Sequence, residues 1–309
     1  MHLLIPFAAP LSDAGREAAR SLLLPSLSAL LALLQPQGRD DGDEWSLSPP
    51  HERALAGAQG WVGADGALPW AARDAVADGV AVGRQAWGLL TPVHWHLGTD
   101  QVSLLDPAGL MLDDAASRVF FAAVHDLFAS DGYTLAYGAP SRWYAAHDSL
   151  TALPTASLDR VIGRNVDRWL GKDPAARRIR RLQSEVQMRL YTHPLNDERS
   201  AQGLLPVNSF WLSGCGVAQA VADHDTQLDE RLRAPSLADD WAAWFKAWET
   251  LDAGPLAALR AAVKAGQRVR LTLCGERASA TFSSGPRSVM RLLKSRFAAP
   301  AWLPLLETL

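Results

Sequence analysis

The chain reads as strand–helix alternation at both ends with a different texture between them, and few architectures satisfy that pattern. "HLLIPFA" (2–8) is an apolar run stopping short of Pro10, which suits a buried strand. "PSLSALLALL" (25–34) follows as a helix with Pro25 near its first turn. "QPQGRDDGDEWSLSPP" (35–50) reads as a polar loop with an acidic cluster, and "PWAARDAVADGV" (69–80) as another helix. From residue 86, short strand-like pieces take over: "AWGLLTPVHWHLG", "QVSLLDP", "GYTLAYG" and "SRWYAAH", with one helix at 113–129 among them. A helix over 173–191 has Asp173 as its cap and Pro174 in its first turn, with Ile179, Leu182, Val186 and Leu190 on one face. Beyond it come a strand in "VNSFWLSG", a helical stretch at 239–266 broken near Gly254-Pro255, strands in "QRVRLTLCG" and "ASATFSS", and a closing helix in "PRSVMRLLKSRFA". The pattern predicts an α/β core, residues 1–85 and 173–309, interrupted by an α+β insert at 86–172.

Composition narrows the function more than the fold. At 48% apolar and 20% charged residues, a sizeable core is available and wholesale disorder is excluded. The net charge of −3 gives no pull toward nucleic acid or anionic membrane. Cys215 and Cys274 fit no metal or redox spacing and read as free thiols of a reducing compartment. "MHLLIPFAAP" lacks the basic start of a signal peptide, and the apolar run at 22–34 is short of a membrane span, so a cytoplasmic location is expected. With 12 Trp residues, part of the indole surface is expected to line grooves or meet a protein partner.

The densest polar stretch is "RLYTHPLNDERSAQGLLPVNSFWLSGCG" (189–216). His193, Asn196, Arg199 and Asn208 can form a network where a strand begins, and Gly214 and Gly216 permit a tight turn or a close ligand. In "TASLDRVIGRNVDRW", Asp159, Arg160, Arg164 and Asn165 suit either phosphate or carboxylate recognition or an Asp–Arg structural network. His94 and His96 are two apart, so on a strand they share a face, and Asp100 completes a potential metal set. Asp223 and His224 supply further donors, though such acidic loops are usually solvated. The run Arg177 to Arg181 reads as a solvated helix face with an Arg181–Glu185 ion pair rather than a nucleic-acid site.

Several blocks in order carry a family resemblance. "LTPVHWHLGTDQVSL", "TASLDRVIGRNVDRWL", "RRLQSEVQMRLYTHPLNDER" and "GLLPVNSFWLSGCG" resemble the RpfE-type regulatory proteins of proteobacteria, from about residue 49 onward. "THPLNDERSAQGLLPVNSFWLSGCG" is also similar to the archaeal-type cofactor-independent phosphoglycerate mutases, in their His-Pro-x-Asn, Arg and Asn block leading into a strand. "LPSLSALLA" resembles their Pro-Asn-Leu-Asp-x-Leu helix without its Asp, and "SRWYAA" their arginine-bearing strand, which points to Arg142. This resemblance implies an alkaline-phosphatase-like core with an inserted α+β domain.

Those mutases transfer a phosphoryl group through a serine held by two divalent metals, which clamp the attacking and leaving oxygens. Such a site implies an Asp-Gly turn after the first strand and an Asp-His pair after a late one. Here the first turn reads "PFAAPLSD" with Ala8 and Ala9, and the late one Cys274-Gly275-Glu276-Arg277. No serine in the N-terminal third stands in a nucleophile motif. The expectation is a degenerate relative without a cofactor, binding a small phosphorylated or carboxylated ligand. The expected contacts are Arg142, Asp159, Arg160, Arg164, Asn165, His193, Asn196, Arg199 and Asn208. The alternative is a metal-dependent enzyme using Mn or Zn at His94, His96 and Asp100 with Asp223 and His224.

Overall fold

In a computed structural model of the chain, residues 1–222, 225–285 and 302–309 are described. They form two compact units, Met1–Gly60 with Val221–Leu309, and Trp61–Ala220. The first unit opens with β1 (His2–Ile5), α1 (Asp13–Arg20), α2 (Pro25–Leu33), β2 (Gln35–Asp41) and α3 (Pro50–Ala58). The second runs through α4 (Trp70–Ala77), β3 (Ala86–Val93), β4 (Trp95–Leu97), β5 (Val102–Leu104), α5 (Asp114–Ser130), β6 (Thr134–Ala139) and β7 (Arg142–Ala146). It continues with α6 (Leu158–Val161), α7 (Pro174–Tyr191), α8 (Pro194–Ala201) and β8 (Ser209–Val217). The first unit resumes with β9 (Thr226–Leu228), α9 (Arg233–Leu237), α10 (Trp241–Leu251), α11 (Ala257–Lys264), β10 (Arg270–Cys274), β11 (Ala278–Ser283) and a helix at Trp302–Glu307. The closing helix expected around 286–298, like Asp223 and His224, lies outside the described residues.

The chain is a mixed α/β protein. The sheet of the first unit has the order β2-β11-β10-β1-β9. β1 runs parallel to both β10 and β9, while β10, β11 and β2 are antiparallel neighbours. The pairing Leu3↔Leu271 and Ile5↔Leu273 aligns side chains that pack with Leu27, Leu30, Trp244 and Trp248 in one core. The polar stretch expected to be a loop instead contributes β2. Its Pro36 is tolerable because β2 is an edge strand, where one N–H has no ladder partner to satisfy.

The helical stretch expected to break at Gly254-Pro255 does not break. It passes through one π-helical turn, Asp252–Leu256, which absorbs the missing Pro255 N–H between α10 and α11. That turn has a second consequence. α2 has no cap of its own, and the buried Asp252 carboxylate accepts from Ser26 N at 3.0 Å and Leu27 N at 2.8 Å. An acid 226 residues away in the chain thus caps the helix.

In the second unit the sheet order is β6-β7-β3-β8, all antiparallel. Ala71, Ala72 and Ala75 of α4 lie against Trp87, Tyr144 and Ala146. Phe120, Val124 and Phe128 of α5 join Leu182, Val186 and Leu190 of α7 in a second cluster with Phe210 and Leu212. The second compact unit, Trp61–Ala220, thus includes elements on both sides of the 86–172 stretch. α4 precedes residue 86 and α7 and β8 follow 172, yet all three pack into this one sheet. Sequence texture registers local propensity, whereas a unit's limits follow from which faces are buried together.

Gly214 and Gly216 serve that packing. Gly214 has φ +64°, and a Cβ there would sit 2.9 Å from Ala71 N and Trp70 Cβ. A Cβ on Gly216 would sit 3.0 Å from Pro69 Cβ. The Gly-Cys-Gly close of the polar stretch is a seat for α4 on β8.

Candidate functional site

The polar residues that follow α7 are turned mostly toward backbone. Asn196 is buried, and its amide donates to Leu190 O at 2.9 Å and Val207 O at 2.7 Å while accepting from Val207 N at 2.9 Å. Arg199 is buried too, its Nε donating to Leu205 O at 3.0 Å and its Nη2 to Leu205 O and Leu110 O. Among the described residues no carboxylate pairs with it, and burial holds its pKa below the usual guanidinium value, the Asp113 charge offsetting part of the shift. His193 caps α8, its Nδ1 accepting from Leu195 N at 3.2 Å, and its ring lies 5.3 Å from that of Phe120. Asn208 accepts from Trp95 N at 2.7 Å and donates to Trp95 O at 2.9 Å, pinning β4 to the start of β8. These four residues brace a chain reversal, and their polar atoms are largely consumed in doing so.

Arg142 lies on β7 and forms a two-pronged pair with Asp78 just after α4, at 2.8 and 2.7 Å. Tyr144 donates to the same carboxylate at 2.6 Å. The hydrogen bond from Arg142 holds the Asp78 pKa below the usual carboxylate range, burial opposing it. Burial and the Asp78 contact push the Tyr144 phenol up. The arginine that the resemblance marks for ligand contact is thus engaged by its own unit.

Asp159 and Arg160 sit in α6, with Ser157 as its cap, and Arg160 is buried. Arg164 is half-buried, and Asn165 caps the short turn Val166–Arg168, its side chain accepting from Asp167 N at 2.9 Å. Residues 162–165 bridge to β5 through Leu104↔Ile162 and Ser103↔Asn165. Asn165 and Asn208 therefore both border the β4–β5 hairpin. This hairpin region is where the structure gathers the expected site residues most closely.

The metal set does not assemble there. β3 ends at Val93 and β4 starts at Trp95, so His94 falls in the break, and its Nδ1 lies 2.8 Å from Pro206 O. His96 is exposed on β4 and Asp100 exposed in the turn beyond. The shared face expected of His94 and His96 required one continuous strand. Among the described residues no three His, Cys, Asp or Glu side chains form a group able to hold a metal ion.

In the first unit, the ends of β1 and β10 are where parallel α/β sheets place their ligands. Ala8 N donates to Cys274 O at 2.8 Å, so the turn after β1 and the turn after β10 are direct neighbours. Phe7 adopts φ +56°, rare for an aromatic residue, and its carbonyl accepts from the buried Trp244 indole at 3.0 Å. Ala8, Ala9 and Cys274 are buried. Burial pushes the Cys274 thiol up, the Arg53 charge opposing it, so the sulfur stays protonated. Gly275 leaves no room for a side chain, since a Cβ would lie 2.4 Å from the Leu309 carbonyl carbon.

Arginines close this rim. Arg53 of α3 donates to Asp40 at 2.7 Å and to Ser48 O at 2.6 Å, and Arg277 pairs with Glu44 at 3.0 Å. Sequence reasoning passed over Arg53, Asp40 and Glu44. The signal available was the acidic cluster at 40–44, which needs cations beside it wherever it packs.

The second unit also holds a small cavity of about 30 Å³, lined by Leu153, Thr155, Trp169, Gln183 and Trp211 among others. Small-molecule sites run to roughly 300–1,000 Å³, so this one has room for water-sized occupants alone.

No protein-family model matches the chain, and no curated protein matches it. Among solved structures, the chain is similar to the cofactor-independent phosphoglycerate mutase from Thermoplasma acidophilum DSM 1728, at 14% identity and TM-score 0.37 over 99% of this chain and 98% of that one. It is also similar to the PH0037 protein from Pyrococcus horikoshii, at 12% identity and TM-score 0.44 over 92% of this chain and 87% of that one. Likenesses this distant carry no conclusion about chemistry, which rests on the residues themselves.

Proposed function

We propose that the chain is a phosphoglycerate-mutase-like protein with an alkaline-phosphatase-like core. Its strand ends no longer hold metals, and it binds a small phosphorylated or carboxylated ligand in a regulatory role. One observation carries the reading. The two turns that the sequence resemblance marks as metal-bearing are in direct contact through Ala8 and Cys274, and Ala8, Ala9, Cys274 and Gly275 stand where the resemblance implies Asp-Gly and Asp-His.

Divalent cations of the Mn or Zn class need deprotonated carboxylate, imidazole or thiolate donors. Ala8, Ala9 and Gly275 have none, the Cys274 thiol is buried and protonated, Glu276 is a single carboxylate in its turn, and Arg277 beside it already pairs with Glu44. The residues present do not fit a two-metal centre, so no phosphoryl-transfer step is derived for this chain. The regulatory element of the proposal rests on the RpfE-type sequence blocks and on the loss of those donors.

The test is a thermal-shift titration of chelator-treated protein with Mn²⁺, Zn²⁺ and 3-phosphoglycerate, singly and combined. A ligand that binds only the native state raises the midpoint by mass action. The expected outcome is a shift with 3-phosphoglycerate that metals do not enlarge. Metal-dependent mutase turnover would overturn the proposal, and no shift with any of the three would turn attention to a protein partner.

A further inference from the structure

One surface of the second unit collects unmatched positive charge. α7 carries Arg177, Arg178, Arg180 and Arg181 close to its start. The ion pair expected between Arg181 and Glu185 is present at 3.6 Å, and Arg181 also meets Asp131. The rest of the run is unlike a neutralised surface. Arg177, Arg178 and Arg180 have no carboxylate partner among the described residues, and the polar contact of Arg178 is with His147 Nε2 at 3.4 Å.

Three of these arginines converge. Arg177, Arg178 and Arg181 line an open concavity of about 480 Å³ together with Ser130 and Asp131. Arg181 has both Asp131 in the lining and Glu185 beside it, which leaves Arg177 and Arg178 as the two cations of the lining without a carboxylate partner among the described residues. A phosphate monoester carries roughly −1.5 to −2 at pH 7, so a single phosphoryl group matches these two arginines. The guanidinium fork suits its oxygens in paired hydrogen bonds. The helix ends offset one another, because the negative end of α5 lies at Ser130 while the positive end of α7 lies one turn before Arg177. The chain's net charge of −3 disfavours a long polyanion, whereas a small anion needs only the local excess.

We propose that this concavity on α7 binds the phosphoryl group of a small phosphorylated acid, an inference that rests on the ligand reading above and gives it a location. Arg177 and Arg178 supply the forks, and Arg181 is held in place by Asp131, itself in the lining, and by Glu185.

The experiment is calorimetric titration of the full chain at low ionic strength with inorganic phosphate and with 3-phosphoglycerate. Wild type is compared with Arg177→Gln/Arg178→Gln and with a control, Arg16→Gln/Arg20→Gln, in the other unit. Wild type and control are expected to bind both probes alike, with the α7 double variant weaker by at least about tenfold. Arg177→Lys/Arg178→Lys, which keeps charge and loses the forks, is expected to fall between. If the Gln double variant binds both probes like wild type, the concavity is wrong while the ligand reading survives. If wild type binds neither probe, both fall. Phosphate binding lost in the variant, without 3-phosphoglycerate binding to wild type, keeps the oxyanion site and overturns the ligand reading.

Discussion

Arg199 in the second unit and Arg53 in the first both donate to backbone carbonyls, yet their surroundings differ in kind. Arg199 is buried on α8, donates to the carbonyls of Leu110 and Leu205, and has no carboxylate in contact among the described residues. Arg53 retains 18% side-chain exposure and adds a carboxylate, Asp40, to the carbonyl of Ser48. In the second unit a cation is spent inward to close a chain reversal. In the first, charges neutralise one another at a rim beside the ends of β1 and β10. Similar residue types therefore do two kinds of work: bracing backbone in one unit, and neutralising carboxylates in the other.

The comparison predicts unequal costs for equal substitutions. Arg199→Met strands two buried carbonyls and is expected to cost about 3 kcal/mol in urea unfolding followed by Trp fluorescence. A loss under about 1 kcal/mol would show that the carbonyls find other donors. Asp252→Ala removes the distant cap of α2 and leaves Ser26 N and Leu27 N without it, for an expected loss of about 2 kcal/mol. Asp252→Asn, which keeps one acceptor, should recover part of this. Arg53→Met is expected to cost only about 1 kcal/mol, since water reaches the rim and rescues Asp40. Equal losses for Arg53→Met and Arg199→Met would erase the contrast between the units.

The smallest effect concerns pH. Asp78 has its pKa lowered in the folded state, first by the hydrogen bond from Arg142. Its contribution is therefore present above the unfolded carboxylate pKa, near 3.9, and is lost as pH falls through the lower folded value. Asp78→Asn should flatten the acid limb of the stability profile below about pH 4 while changing little at pH 7 beyond a constant offset. Arg142 is 43% exposed, so screening keeps the effect modest. An unchanged acid limb would mean that the pair is as strong in the unfolded chain.

Legibility in the sequence followed the range of the interactions involved. α7 was readable because its cap, its Pro174 and its apolar face are all local, and the structure has Asp173 accepting from Ala176 N at 2.9 Å. β2 was not readable, because an edge strand of polar residues owes its form to β11 rather than to its own propensity. The seat of α4 on β8 was not readable for the same reason, since the two lie far apart in sequence and meet only in the folded chain.

By itself, the sequence determined which residue types stand at the strand ends: Ala8 and Ala9 after the first strand, and Cys274 to Arg277 after the late one. Folding brings further carboxylates, Asp40 and Glu44, to this rim, where they are paired with Arg53 and Arg277. Tertiary structure alone decided what the polar stretch does with its side chains. Asn196, Arg199 and Asn208 are as well suited to a ligand as to a backbone, and the choice is made by partners such as Leu110 and Trp95, 89 and 113 residues away. Hydrogen-bond donors are satisfied by whatever acceptor burial brings near, and burial is a property of the folded chain.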